Sequence, residues 1–262
     1  MWLDEVDLSK RDLVIDPPLV NAAGTMGFYP NPKSINDWHF MGAFITNPVS
    51  FNPRKPAETR ACVHYASGFL LHSGLPNPGF KAVLKRYQAR WAKAPLPVIV
   101  HLMAEEVDSL RLMIRQLESI ENVIGVELGF TPQMHVETVN TLLASANSEL
   151  PVVLGLNPQQ VSTYVHILQE GTVAMVRISE PRGMLPTADG QLLHGRLFGP
   201  AVFAETLSVV HTLAGEGLKV IGGGGVYTMA QVKAMRQAGA VAVALDAVLW
   251  RGGLDLTTIA GV

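Results

Sequence analysis

Short apolar segments recur along the chain, and stretches with helical periodicity separate most of them. Continuous apolar segments of this kind are typical of parallel strands that are buried on both faces. The eight apolar segments are 19–23, 43–47, 98–103, 123–128, 152–156, 174–178, 220–222 and 242–245, and helical periodicity is clearest in 104–119, 159–169, 201–214 and 229–238. Alternation of strands and helices predicts parallel βαβ units. Eight such units predict a single (β/α)8 barrel domain over residues 1–262.

Three further segments lie outside this alternation. Residues 1–18 precede the first strand, and the pattern over 6–15 predicts a small β-hairpin at the bottom of the barrel. Long insertions at 48–79 and 180–199 follow the second and the sixth strand. Both insertions begin at strand ends on the face where barrels keep their active sites, and long loops there are usually functional.

A run of four glycines ends the seventh apolar segment and comes shortly before a helical stretch. Glycines at a strand end let a ligand approach the backbone N–H groups, and the following helix N-terminus favours a phosphate. The glycines are Gly222, Gly223, Gly224 and Gly225, and the eighth segment ends at Asp246 and Ala247. Because barrels build phosphate sites after strands seven and eight, this pair of strand ends predicts a phosphate-type ligand. The alternative is that the glycines mark only a loop.

Composition narrows the class of protein. Apolar residues make up 48% of the chain and charged residues 16%, which suits a buried parallel sheet. The net charge of −2, without a basic cluster, argues against a nucleic-acid partner. The single cysteine, Cys62, argues against disulfides and against a metal site of paired cysteines. No signal-peptide core or membrane-spanning segment is evident, so we expect a cytoplasmic protein with no metal and no membrane partner.

The order of the motifs resembles the dihydroorotate dehydrogenase family, FMN-dependent barrels that oxidise dihydroorotate to orotate. Residues 21–25 read NAAGT and resemble the family segment whose backbone lies against the flavin. Residues 74–80 read GLPNPGF and resemble the substrate-side loop. Residues 197–201 read LFGPA where the family has LSGPA. With the glycine run, the resemblance covers nearly the whole chain and implies an oxidoreductase of pyrimidine biosynthesis.

The resemblance also implies an FMN site, a neighbouring substrate site and a homo-oligomer. The implied cofactor contacts are Ala22, Ala23, Gly24, Gly199, Gly222, Gly223, Gly224, Gly225, Asp246 and Ala247. The implied substrate contacts are Gly74, Leu75 and Asn77.

Many active-site side chains of the family are replaced in this chain. Lysines on the second and fifth strands fall at Asn47 and Gly155. Family asparagines fall at Leu71, His101, Gly129 and Ser179. The family has a small Gly-Ser or Gly-Thr pair where this chain has Asp246 and Ala247. A carboxylate at this position would repel a phosphate unless it pointed away or paired with Arg196 or Arg251. This pattern predicts lost or altered chemistry on a retained scaffold.

Thr131 and Arg177 are the candidate catalytic residues. Thr131 falls at the family's base, and a hydroxyl needs a partner that takes the proton. The alternative is that Thr131 caps the next helix. Strand alternation places Arg177 on the inward face together with Glu127 and His101, which predicts a polar cluster inside the barrel. This cluster is either a flavin or anion contact or a buried structural ion pair.

Three functions remain open from the sequence. The first is an FMN oxidoreductase of the dihydroorotate dehydrogenase type with altered or lost activity toward dihydroorotate. The second is a barrel that binds a phosphorylated ligand, or FMN, without redox catalysis. In both of these cases the expected partner is a small-molecule or phosphate-bearing ligand. The third is a cofactor-free structural or partner subunit. Charged residues of the second insertion, Glu180, Arg182 and His194, either contact a ligand or are simply solvated.

Overall fold

Eight parallel strands form a barrel in the computed structural model, which describes residues 12–35, 38–58, 61–168 and 173–251. In chain order the elements are β1 (Leu19–Asn21), β2 (Phe44–Ile45), β3 (Ala61–Tyr65), β4 (Gly68–His72), α1 (Phe80–Trp91), β5 (Val98–Met103), α2 (Val107–Glu118), β6 (Val123–Gly129), α3 (Val136–Ser145), β7 (Val152–Leu156), α4 (Pro158–Leu168), β8 (Met175–Ile178), β9 (Arg182–Pro186), β10 (Leu192–Phe198), α5 (Phe203–Gly215), β11 (Val220–Gly223), α6 (Met229–Gln237), β12 (Ala242–Leu245) and α7 (Val248–Arg251). The barrel strands follow the order β1-β12-β11-β8-β7-β6-β5-β2. The predicted (β/α)8 fold is confirmed, and all eight predicted segments contain a barrel strand.

The barrel closes between β1 and the short strand β2. Val20 forms a parallel bridge to Ala43, and the N–H of Gly42 donates to the carbonyl of Leu19 at 2.9 Å. The buried side chain of Asn21 adds two hydrogen bonds to the backbone of Ile45, at 2.7 and 2.9 Å. A side-chain amide thus replaces part of the strand ladder where β2 is too short to supply it.

Two apolar layers hold the barrel together. The outer layer lies between the strands and the helices, whose apolar positions recur at helical spacing, as for Leu110, Met113, Ile114 and Leu117 of α2. The inner layer fills the barrel and includes Leu13 and Ile15. Residues 12–15 form no strand, and residues 1–11 of the predicted N-terminal hairpin lie outside the described residues.

The two insertions combine into one antiparallel sheet, which we call the mouth sheet. Its order is β3-β4-β10-β9, with β3 and β4 from the first insertion and β9 and β10 from the second. A Cβ added at Gly68 would lie 1.8 Å from the carbonyl oxygen of Phe198, so only glycine allows this pairing. The rings of Phe69 and Phe198 stack at 5.1 Å. In the part of the chain that is described, no helix has the length and apolarity needed to cross a membrane.

Candidate functional site

A cavity of about 230 Å³ opens between the mouth sheet and the carboxyl ends of strands β5 to β8. We call it the mouth cavity. The ionisable side chains that line it are four arginines, two histidines and one glutamate. They are Arg54, His72, His101, Arg177, Glu180, Arg182 and Arg196. The carboxyl ends of the strands are the catalytic face of (β/α)8 barrels, so this cavity is the candidate functional site.

A larger cavity of about 870 Å³ lies at the opposite end of the barrel. The segments that precede β7, β8 and β11 line it. Residues at the amino-terminal face of such barrels usually serve stability rather than chemistry, so size does not make this cavity the functional one.

Three ionisable side chains form a buried cluster at the floor of the mouth cavity. Arg177 donates from Nε to Oε2 of Glu127 at 2.7 Å and from Nη2 to Oε1 at 2.8 Å. Nδ1 of His101 lies 2.7 Å from Oε1 of Glu127. The remaining guanidinium nitrogen, Nη1 of Arg177, is buried and has no hydrogen-bond partner among the described residues. The structure therefore brings together the polar cluster that strand alternation predicted.

Two glycines make room for this cluster. Gly155 lies directly beside Arg177 in the strand register, and a Cβ there would come within 2.9 Å of Oε1 of Glu127. Gly129 lies under His101, where a Cβ would be 2.6 Å from Nε2. Any side chain at position 155, including the lysine that the family resemblance led us to expect, would displace the ion pair.

Burial and charge act in opposite directions on Glu127. Burial by itself raises the pKa of a carboxyl group, but Arg177 and His101 outweigh it and lower the pKa of Glu127 to about 2. The pKa of Arg177 is raised although burial acts to lower it, because Glu127 stabilises the charged guanidinium. Both groups are therefore charged at neutral pH.

A second buried acidic group lies at the end of β12. Oδ2 of Asp246 accepts a hydrogen bond from the N–H of Gly225 at 3.1 Å, and Oδ1 has no partner within the described residues. Glu180 is 1% exposed, so the interpretation of this loop residue as a solvated charge is wrong. Arg196 pairs with Glu180, with 3.6 Å between Nη1 and Oε2, rather than with Asp246. The side chain of Arg251, the other expected partner of Asp246, lies outside the described residues.

The environment of Asp246 favours its neutral form. Burial is the largest cause, the charge of Glu180 adds to it, and together they raise the pKa of Asp246 to about 7. Backbone N–H groups, that of Gly225 first, act in the opposite direction but do not cancel the effect.

The described residues do not fit FMN in the position that the family resemblance implies. At the phosphate end, the N–H of Gly225 is already bonded to Asp246, and two buried carboxyl groups would face the phosphate. At the ring end, the guanidinium of Arg196 packs against Gly24, with Nη2 3.4 Å from the position of an added Cβ. The backbone expected to lie against a flavin therefore lies against an arginine.

The other implied FMN contacts lie at strand ends. Ala22 and Ala23 follow β1 and are buried, as is Ala247 after β12. Gly222 and Gly223 belong to β11. The backbone has a positive φ of 89° at Gly224, 75° at Gly225 and 131° at Gly199.

Thr131 and two of the three implied substrate residues line the mouth cavity. Gly74 and Leu75 lie in its wall, whereas Asn77 does not, because its buried amide is bonded to Ser50 and to the N–H of Gly79. The hydroxyl of Thr131 has no hydrogen-bond partner in the described ranges. It does not cap helix α3 either, since His135 is the residue at that N-cap.

Arg54 is a lining residue that the sequence analysis missed. It reaches the mouth cavity from the first insertion, and its Nε donates to the carbonyl of Gly74 at 2.7 Å. The available signal was the position of Arg54 in an insertion on the catalytic face. Nothing in the local pattern distinguishes it from the other charged residues of that insertion.

A family model and the similar proteins point to the same family. A family model described as dihydroorotate dehydrogenase matches residues 11–259. A dihydroorotate dehydrogenase B (NAD(+)) catalytic subunit from Bacillus pumilus is 28% identical over 257 residues, which cover 89% of this chain and 82% of that protein. The corresponding subunit from Desulforudis audaxviator is 25% identical, with 89% and 83% covered.

Solved structures of a dihydroorotate dehydrogenase share the fold. The Eimeria tenella enzyme in complex with ferulenol has a TM-score of 0.70 at 12% identity, and the match covers 93% of this chain and 78% of that one. Its ligand-free form also has a TM-score of 0.70 at 12% identity, with 96% and 86% covered. At this identity the likeness concerns the fold alone.

Removing the central carboxylate should destabilise the protein strongly. Glu127→Gln removes the carboxylate that is hydrogen-bonded to the buried Arg177, so we expect the free energy of unfolding at pH 7 to fall by about 3–5 kcal/mol. Urea denaturation measures this change. The control is Glu105→Gln, which removes the partner of Arg54 from a pair that is 39% and 47% exposed and should cost less than about 1 kcal/mol. Equal losses in the two variants would contradict the assignment.

Neutralising Asp246 should stabilise the folded state at alkaline pH. Because its pKa is raised from 3.8 to about 7, the stability of the wild type falls as the pH rises between these values. Asp246→Asn removes the titration and keeps an acceptor for Gly225, so the stability of this variant relative to the wild type should increase by about 2.5 kcal/mol between pH 5 and pH 8. Unfolding curves at both values test this, with Asp108→Asn on the exposed surface as control. A variant less stable than the wild type at pH 8 would refute it.

Proposed function

Because the chain belongs to the dihydroorotate dehydrogenase family, we propose that it is a dihydroorotate dehydrogenase-like barrel with altered activity: its mouth cavity binds a small organic anion, and it does not oxidise dihydroorotate at enzyme rates. The observation that carries this proposal is Arg177, a charged residue that lines the cavity and whose buried Nη1 has no partner among the described residues. An unsatisfied buried donor is costly, and a carboxylate oxygen in the cavity would satisfy it.

Two further guanidinium groups support an anionic ligand. Arg182 and Arg196 lie directly opposite each other on β9 and β10, and like charges in that relation destabilise a sheet. Burial lowers the pKa of Arg182, and the positive charge of Arg196 lowers it further. Both side chains line the mouth cavity, so an anion bound between them would relieve their repulsion.

The size of the mouth cavity favours a compact ligand. Its volume of about 230 Å³ lies below the roughly 300–1,000 Å³ that is usual for pockets of drug-sized ligands. A small carboxylate is therefore the preferred class, since it matches the fork of an arginine in two parallel hydrogen bonds.

Loss of dihydroorotate oxidation is supported by the residues that the family resemblance placed at the flavin. The lysine expected on the fifth strand is Gly155, and the space above it is taken by the ion pair of Glu127 and Arg177. Thr131 has no hydrogen-bonded proton acceptor among the described residues. The acidic groups at the phosphate end oppose FMN itself.

The rival functions are less well supported. An FMN oxidoreductase acting on another substrate, with Thr131 as base and Arg177 beside the flavin, requires a phosphate next to Asp246. A structural subunit without a ligand leaves the buried Nη1 of Arg177 unexplained.

Binding of small carboxylates tests the first half of the proposal. We expect at least one of orotate, benzoate, malonate and succinate to raise the melting temperature and to give a calorimetric binding signal. Arg182→Gln should weaken that binding about tenfold or more, because it removes a charged contact of about 1.5–3 kcal/mol. Arg111→Gln, which removes the same charge from the exposed face of α2, should have no effect. Failure of all four anions, or equal losses in both variants, would refute the site.

A steady-state assay tests the second half. With FMN and a dye acceptor supplied, dihydroorotate oxidation should not exceed the blank without protein. Turnover at about 1 s⁻¹ or faster, the range of ordinary enzymes, would overturn this prediction.

A further inference from the structure

The ends of strands β11 and β12 are the position at which barrels of this class hold a phosphate. The two strands pair in parallel, with Gly223 beside Ala244. The backbone then turns at Gly224 and Gly225, and Asp246 follows β12. In this structure the N–H of Gly225 points at Oδ2 of Asp246. A carboxyl group of the protein itself therefore already occupies this position.

Close packing of the backbone, rather than space for a ligand, requires the last two glycines. A Cβ at Gly225 would lie 2.7 Å from the backbone N of Phe203 and 2.9 Å from the carbonyl oxygen of Gly199. A Cβ at Gly224 would lie 2.7 Å from Cγ2 of Thr206, whose hydroxyl donates to the carbonyl of Gly224 at 2.8 Å. These contacts explain Gly224 and Gly225 without a bound phosphate.

We propose that Asp246 is a built-in substitute for the phosphate: its carboxyl group occupies the phosphate-type site at the ends of β11 and β12, so that this site binds neither inorganic phosphate nor the phosphate of FMN. This inference goes beyond the proposed function, which concerns the mouth cavity.

The surrounding charges reinforce the exclusion. Glu180 is buried, and neither of its carboxylate oxygens has a hydrogen-bond partner among the residues described. Arg196 is paired with Glu180 rather than with Asp246. A phosphate dianion would have to enter beside two acidic side chains, at a site whose Gly225 N–H is already engaged.

Restoring the pair that the family resemblance led us to expect should reopen the site. Asp246→Gly combined with Ala247→Ser removes the internal anion and adds a hydroxyl donor. At pH 8, inorganic phosphate should raise the melting temperature of this double variant and leave the wild type unchanged. FMN should bind the double variant about tenfold or more tightly than riboflavin, a difference that reports the phosphate alone. The wild type should show no such preference.

Two further variants distinguish the effect of the acidic charges from the effect of the volume of the Asp246 side chain. Asp246→Asn removes the charge but keeps the volume, so phosphate should not stabilise it. Glu180→Gln added to the double variant should strengthen phosphate binding further, because it removes the second acidic group. If the double variant does not fold, Asp246→Ser replaces it in the same measurements.

The inference fails if phosphate stabilises the wild type as much as the variant, or if the folded variant does not respond to phosphate. It also fails if the wild type binds FMN about tenfold more tightly than riboflavin. Arg182→Gln lies in the mouth cavity and should not change phosphate binding by the double variant. Failure of the proposed function and failure of this inference are therefore distinguishable.

Discussion

The ion pair between Glu127 and Arg177 is the constraint on which the candidate site depends. Two charges inside a barrel are tolerated only when each satisfies the other at close range, which the bidentate geometry at 2.7 and 2.8 Å achieves. The pair needs the empty space above Gly155, and the ring of His101 needs the space above Gly129. One interaction thus determines which neighbouring positions must be glycine, and it leaves Nη1 of Arg177 without a hydrogen-bond partner among the described residues.

A second electrostatic feature lies at the other end of the same site. Asp246 and Glu180 place acidic groups where the family resemblance led us to expect a bound phosphate. Arg196 packs against Gly24, where the resemblance implied the flavin ring. The charges at both ends of the implied FMN site therefore differ from those that the family resemblance led us to expect. The glycines retained at positions 224 and 225 do not contradict this, because close contacts with residues 199–206 already require them.

The sequence predicted much of the barrel and part of the site. Buried parallel strands are continuous apolar segments, so the eight strands could be located from local pattern alone. The cluster of His101, Glu127 and Arg177 could also be predicted, since side chains alternate along a strand with a fixed period of two. By contrast, the burial of Glu180 and the approach of Arg54 to the cavity depend on how two distant insertions pair, and no local pattern encodes that pairing.

The sequence by itself determined the family, the (β/α)8 fold and the list of positions at which the expected flavin side chains are replaced. It left open whether Asp246 would repel a phosphate, point away from it or pair with an arginine. Only the tertiary structure decided this, because the answer depends on a hydrogen bond between the ends of two strands and on Glu180 from a third segment. Residue identity determines which charges are present. Their burial, their partners and hence their chemistry follow from contacts between residues far apart in the chain.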